Sequence, residues 1–352
     1  MYKAKYVKYI LKFKHPSGTS RGILTEKPAY FIKFWDDANP VIVGVGECGL
    51  LKGLSIDDKE DYEEVLRHVC DNINEYITNP KDKLMQWPSI CFGLEMTLLD
   101  WRMGGKRILF PSAFTDGGEG IPINGLIWMG DIGFMKEQLR KKVEEGYRCI
   151  KIKVGAIEFE EELKFINNLR KEYPQNYFEI RLDANGAFPP DVVQERLRRL
   201  SKHTIHSMEQ PIKQGNWAAM AELCKKSPIP IALDEELIGV HSFEEKEKLV
   251  STILPQYLIL KPSLLGGFKH CEEWIELANK CKIAWWITSA LESNIGLNAI
   301  AQWTFTLNNK LPQGLGTGQL YTNNIASPLL IEDSKLWYMG DEWKVDRIEE
   351  GS

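Results

Sequence analysis

The chain has 352 residues, 43% hydrophobic and 26% charged, with a formal net charge of −5. This is ordinary soluble composition: the mild acidity gives no basic footprint for nucleic acid, and no apolar run approaches the roughly 20 residues that span a bilayer. The seven cysteines are scattered with no C-x-x-C pair, which reads as reduced thiols in a cytoplasmic protein, and the opening "MYKAKYVKYILKFKHPSG" lacks the apolar core and cleavage pattern of a secretory signal.

The first part reads as α+β. Alternation predicts strands at "AKYVKYILKF", "AYFIKFW" and "VIVGVGEC", the last two separated by the turn signal "DDANP". A helix is expected over "SIDDKEDYEEVLRHVCDNINEYITN", with an Asp-rich start, and another over "SICFGLEMTLLDWRMGG", ended by paired glycines. The stretch "FTDGGEG" marks a boundary near residue 118. Residues 1–118 are therefore expected to form an α+β capping domain.

After the boundary, short apolar strands alternate with helical patterns such as "DIGFMKEQLRKKVEEGY" and "KHCEEWIELANKCK". The strands are "PINGLIW", "CIKIKVG", "FEIRLDAN", "IHSMEQP", "PIALDEE", "YLILKPS", "AWWITSA" and, weakly, "GLGTG". They recur about every 27 residues, which suits one strand-plus-helix unit each. Eight such units predict an α/β parallel barrel over residues 119–324, a modified TIM barrel. No G-x-G-x-x-G follows the first strand, which weighs against a dinucleotide fold. The tail, 325–352, has no room for another unit and is expected to return to the capping domain.

A barrel of this kind carries its active site at the C-terminal ends of its strands. Strand 2 offers Lys151 and Lys153, two residues apart and so on one face. Strand 3 offers Arg181, Asp183 and Asn185 with one parity; strand 4 offers Glu209, strand 5 Asp234, and strand 6 Lys261 and Ser263. In a ring of eight, strands 2 and 6 are opposite, so Lys153 and Lys261 should face each other, with the three carboxylates on the wall between.

Each acid alone reads as well as a solvated strand end. Three on consecutive strands at one height repel, and call for a cation or for raised pKa values. All-oxygen ligands suit a hard divalent ion, Mg²⁺ with retained waters, or Mn²⁺ in its place. The lysines read either as salt-bridge partners of the acids or as bases. An amine beside other cations loses proton affinity, so Lys151 would help tune Lys153 for proton transfer near neutral pH. A divalent ion on a carboxylate stabilises the charge that develops when the neighbouring carbon loses its proton.

The K-x-K of strand 2, the D-x-N of strand 3, "MEQP", "LDEE" and "LKPSLLGG" follow one another in register. In these motifs, and over nearly its whole length, the chain resembles the muconate-lactonising subgroup of the enolase superfamily. The resemblance implies a (β/α)7β-like barrel with a cap completed by the tail. It implies Mg²⁺ held by Asp183, Glu209 and Asp234, and paired lysines, Lys153 and Lys261, flanking the α-carbon of the substrate. None of the six histidines has a place at the mouth, and His206, of opposite parity to Glu209, should point outward. That disfavours the histidine-dependent mandelate-racemase group and a zinc amidohydrolase.

Within the subgroup, dipeptide epimerases place an Asp-x-Asp in the strand-8 region; here "GLGTGQLYTNNIASP" has no acid. The pattern most resembles the branch that dehydrates 2-succinyl-6-hydroxy-2,4-cyclohexadiene-1-carboxylate in menaquinone synthesis, a small dicarboxylate. Racemisation of N-acylamino acids or epimerisation of dipeptides on the same site, and a barrel that binds without turnover, are the competing readings.

The small-residue loops "SLLGG", with Ser263 and Gly266, and "TSALESNIGL", with Ser289, Ala290 and Leu291, either present backbone N–H groups to a carboxylate or simply permit tight turns. The cap loops "HPSGTSRG", with Ser20 and Arg21, and "GECGLLKGLS" read as lids, as the family uses them, or as plain hairpin turns. Arg21 is expected to meet the succinyl carboxylate. Arg181 and Asn185 are expected to help place the ring carboxylate or the metal ligands. No motif specifies the oligomeric state.

Overall fold

The computed structural model describes residues 1–19, 22–340, 342–345 and 348. The chain begins with three antiparallel strands, β1 (Tyr2–Thr19), β2 (Gly22–Asp36) and β3 (Asn39–Cys48). On β1, Tyr9, Leu11 and Phe13 are buried while Lys8, Lys12 and Lys14 are exposed, the alternation of a half-buried strand. The helix Pro88–Arg102 lies directly on β3. Two glycines allow this approach: a Cβ on Gly44 would stand 2.2 Å from the Thr97 carbonyl oxygen, and one on Gly46 2.2 Å from that of Gly93. The expected single helix over 55–79 is instead Tyr62–Asp71 and a short turn Ile73–Tyr76. Its Asp-rich start is used elsewhere: buried Asp57 accepts from the Ser89 amide at 2.8 Å and from the Ser89 hydroxyl at 2.6 Å, at the start of the helix Pro88–Arg102 rather than of its own.

The barrel strands are β5 (Gly125–Ile127), β6 (Cys149–Lys153), β7 (Glu179–Asp183), β8 (Ser207–Glu209), β9 (Ile231–Leu233), β10 (Tyr257–Leu260) and β11 (Ala284–Ile287), following a short β4 (Ile121–Pro122). Strands β5 to β11 form one parallel sheet in sequential order. The eighth position, expected at "GLGTG", is reduced to single parallel bridges, Gln313 with Ile123 and Gly314 with Thr288. These two bridges tie the ends of the sheet together and close the ring. Alternate glycines at 314, 316 and 318 offer no side chains to pack as a strand, and the chain turns away in a 3₁₀ turn, Gly316–Gln319.

The tail, expected to return to the capping domain, folds as a hairpin. Its hairpin, β12 (Leu329–Glu332) and β13 (Lys335–Tyr338), pairs with β4, with Leu336 opposite Ile121. The cap is met just before the tail: Thr322 donates to the Lys12 carbonyl at 2.9 Å, Lys14 to that of Leu320 at 2.8 Å, and the Phe13 and Tyr321 rings lie 4.7 Å apart. Buried Leu336 belongs to the main core, which runs from the cap through the barrel, and the Tyr338 ring lies 6.0 Å from that of Phe114. Among the described residues no helix is long and apolar enough to cross a membrane.

Candidate active site

The parallel register sets Lys153 beside Asp183 and Asp183 beside Glu209. Asp234 and Lys261 come immediately after β9 and β10, where the sheet ends and side chains turn over the mouth. Asp183, Glu209 and Asp234 are all buried. Lys151 donates to Glu209 Oε1 at 2.6 Å and contacts Asp183 Oδ2 at 2.8 Å. Lys153 donates to Asp183 Oδ2 at 3.0 Å and to Asn185 Oδ1 at 2.7 Å. Lys261 donates to Asp234. Asn185, in the left-handed region at φ 44°, passes the contact on: its Nδ2 donates to Glu235 Oε1 at 2.9 Å.

The charges set one another. Burial alone would raise the Asp183 carboxyl, but Lys151, Lys153 and Lys261 outweigh it and hold the group well below the usual carboxylate range. Glu209 is pushed up, first by burial and then by the neighbouring Asp183 charge. Burial would lower Lys151 and Lys261, yet the surrounding carboxylates raise both, Asp183 foremost for Lys151 and Asp234 for Lys261. Lys151 is thus the hydrogen-bonded partner of two acids, the salt-bridge reading left open by its sequence.

A cavity of about 600 Å³ opens over this cluster. Lys151, Lys153, Asn185, Lys261, Ser289, Ala290 and Leu291 line it. Three residues expected to touch substrate stand elsewhere. Arg181 is only 1% exposed; it donates to Glu179 at 2.8 Å and to the Pro312 carbonyl at 2.9 Å, and lies 4.0 Å over the Trp286 ring. Its parity is inward as expected, but one layer below Asp183, where it fills the barrel floor. Ser263 is buried behind the wall, donating to Glu292. Gly266 packs on the His270 ring. Ser20 and Arg21 lie outside the described residues. His206, expected to point outward, folds under the barrel against Tyr257 and Trp286; it precedes β8, so strand parity does not govern it.

Further wall residues come from the two cap loops, the first barrel strand and the strand-8 region. Contrary to the expectation that no histidine reaches the mouth, His15 from the β1–β2 hairpin lines the cavity, with Leu24 and the Leu51–Leu54 loop of the cap. Trp128, Thr317 and Gln319 complete other walls. A second, open depression of about 520 Å³ between the loops after β7 and β8, around Pro189 and Lys213, has no acid or histidine on its walls.

The donor set fits a hard divalent ion. Three carboxylates come from consecutive positions around the ring, and Glu209 Oε2 is buried with no hydrogen-bond partner, an oxygen left for a ligand. Among the described residues no three acid, histidine or cysteine side chains are gathered closely enough to clasp an ion as they stand. The ammonium groups of Lys151, Lys153 and Lys261 lie among the carboxylates and balance them.

Cap, parallel barrel and lysine–carboxylate mouth together define a known class. The profile described as "Enolase C-terminal domain-like" matches residues 134–337, and the chain belongs to this family. Sites of the superfamily pair a lysine or histidine base with one or two Mg²⁺. More particularly, the chain is 45% identical to the o-succinylbenzoate synthase of Desulfotalea psychrophila over 360 aligned residues, covering 93% of this chain and 96% of that one. The crystal structure of MenC from the same organism superposes with a TM-score of 0.83 at 41% identity, over 96% of this chain and 99% of that one. The muconate lactonizing enzyme of Pseudomonas fluorescens, 22% identical, shares the fold with a TM-score of 0.82 over 99% of this chain and 98% of that one.

Proposed function

We propose that the chain is a Mg²⁺-dependent o-succinylbenzoate synthase, a hydro-lyase that converts 2-succinyl-6-hydroxy-2,4-cyclohexadiene-1-carboxylate to 2-succinylbenzoate. The observation that carries this reading is that Lys153 and Lys261 line one cavity and are hydrogen-bonded to Asp183 and Asp234 respectively, in a chain 45% identical over nearly its full length to a synthase.

Asp183, Glu209 and Asp234 would hold Mg²⁺, with Mn²⁺ as a substitute. The ion supplies fixed positive charge against the substrate carboxylate as negative charge grows there. Lys153 takes the proton beside the ring carboxylate, then returns it to the departing hydroxyl, so one amine serves as base and acid. Asn185 steadies Lys153 through its 2.7 Å hydrogen bond. Lys261 stays protonated and offers its cation to the planar ring that forms. Lys151 balances Asp183 and Glu209 from below. Ser289, Ala290 and Leu291 on one side, and the cap residues His15 and Leu51–Leu54 on the other, enclose the succinyl arm. The seven unpaired cysteines support a cytoplasmic setting.

A racemase or epimerase reading is favoured by one feature, the second lysine on the cavity wall, Lys261, which could exchange a proton on the opposite face. The assay that decides follows aromatisation of the cyclohexadiene by absorbance, with and without EDTA, beside α-deuteration of N-acylamino acids and dipeptides in D₂O. Rapid EDTA-sensitive aromatisation is expected. Fast deuteration with negligible aromatisation would replace the synthase with the racemase, and the absence of both would leave a binding barrel.

A further inference from the structure

A further buried carboxylate lies behind the cavity wall, outside the lysine–acid cluster. Glu292 is fully buried, and its two oxygens collect donors from two loops. The hydroxyl of Ser263 donates to Oε1. The hydroxyl of Ser289 and the amide of Ala290, at 2.7 Å, donate to Oε2. A third loop joins through Ser289, which accepts from the Thr317 hydroxyl at 2.7 Å. These are the segments after β10, after β11 and after the closing bridge at Gly314, three successive stretches of the barrel rim.

Ser263 matters for its neighbour. It sits in the short helical turn Pro262–Leu265 that Lys261 heads, and the Lys261 carbonyl accepts from Leu264 at 2.9 Å. Fixing Ser263 therefore fixes the turn from which the Lys261 side chain springs. The cap meets the same point. A Cβ on Gly49, at the base of the Leu50–Leu54 loop, would stand 3.0 Å from Glu292 Cγ and 3.2 Å from Ser263 Cβ. Next along the chain, Ser293 turns the other way: its amide donates to Glu47 of β3 at 2.9 Å, as does that of Gly296, so the cap caps a barrel helix. Lys27 lies 3.9 Å from Glu47.

A buried carboxylate costs desolvation that a purely apolar wall would not incur. What it provides is acceptors for hydroxyl and amide groups that are otherwise stranded, and hence one arrangement of the three loops rather than several.

We infer that Glu292 is a positioning residue: it locks the loops after β10 and β11 into one wall, sets the turn bearing Lys261, and provides the seat on which the cap loop closes. It touches no reacting atom. The kinetic part of this inference rests on the synthase reading; the structural part does not.

The test compares Glu292→Met, which keeps the length and loses the acceptors, with Glu292→Gln, which keeps one acceptor. Two quantities are read at equal folded fraction: kcat and KM for aromatisation, and hydrogen exchange of the Ala290 amide. The expected result for Glu292→Met is at least a hundredfold loss in kcat/KM and at least tenfold faster Ala290 exchange, with Glu292→Gln within about tenfold of wild type in both, since catalysis tolerates little misplacement. Wild-type exchange and kinetics in Glu292→Met would overturn the inference. If the wild-type enzyme itself leaves the cyclohexadiene unchanged, the synthase reading fails and the exchange measurement alone decides. If Glu292→Met does not fold, a cycle of Ser263→Ala and Ser289→Ala, whose hydroxyls bond the two Glu292 oxygens, decides on Ala290 exchange: a double variant no faster than the faster single supports coupling through Glu292, and additive effects contradict it.

Discussion

Lys151 bridges neighbouring strands from below the mouth: its ammonium reaches Glu209 Oε1 at 2.6 Å and Asp183 Oδ2 at 2.8 Å. One buried cation thus balances two buried acids, both of them proposed ligands of a divalent ion. Removing it exposes the repulsion that the ion would otherwise quench. In EDTA, Lys151→Met should lose about 3–5 kcal/mol of stability, the usual cost of stranding a buried charge. Saturating Mg²⁺ should recover more of the Tm in the variant than in the wild type. Thermal unfolding with EDTA and with Mg²⁺ measures both, and a variant that melts with the wild type in EDTA would remove Lys151 from this role.

Arg181 separates a floor residue from a substrate contact. With its guanidinium engaged by Glu179 and the Pro312 carbonyl, Arg181→Met strands both partners. A loss of about 3 kcal/mol is expected, with KM within about twofold of wild type because uniform substrate binding is untouched. A large rise in KM without loss of stability would return Arg181 to the substrate.

Glu95 gives the pH dependence of the cap–barrel contact. Its Oε2 accepts from the Phe268 amide at 2.7 Å, and burial pushes its carboxyl up to about 7. An unfolded glutamate ionises near about 4.3, so between the two values the folded chain holds a proton that the unfolded chain has released. The stabilisation from this group is full below the unfolded pKa and declines as pH rises to the folded one. Glu95→Gln, which keeps the acceptor and cannot ionise, should gain on the order of 2–3 kcal/mol relative to wild type at pH 8 and little at pH 4. Denaturant melts at the two pH values check this; an equal effect at both would contradict it.

The sequence made the chemistry of the mouth readable because strand parity carries it. Lys151 and Lys153, then Arg181 and Asp183, repeat at two-residue spacing, and the parallel register aligns Lys153, Asp183 and Glu209 without further information. Parity says which face a residue takes but not at which layer, and so Arg181 was expected at the substrate and lies on the floor. The eighth strand was faint because alternate glycines carry almost no β signal, and the structure makes it two bridges. Glu47 and Ser293 are 246 positions apart in the chain, and no local pattern reports such a contact. His15 reaches the cavity through the hairpin that carries it, a distance that alternation along β1 does not encode.

The most direct test of the central claim, that Lys153 moves the α-proton beside a carboxylate-held Mg²⁺, is the single-turnover rate of aromatisation in wild type and Lys153→Ala with Mg²⁺ saturating and binding of 2-succinylbenzoate measured in parallel. The account predicts a rate lower by at least about a thousandfold in the variant, the scale of a lost general base, with product binding retained. A Lys153→Ala enzyme that aromatises the substrate at a rate comparable to wild type would contradict it.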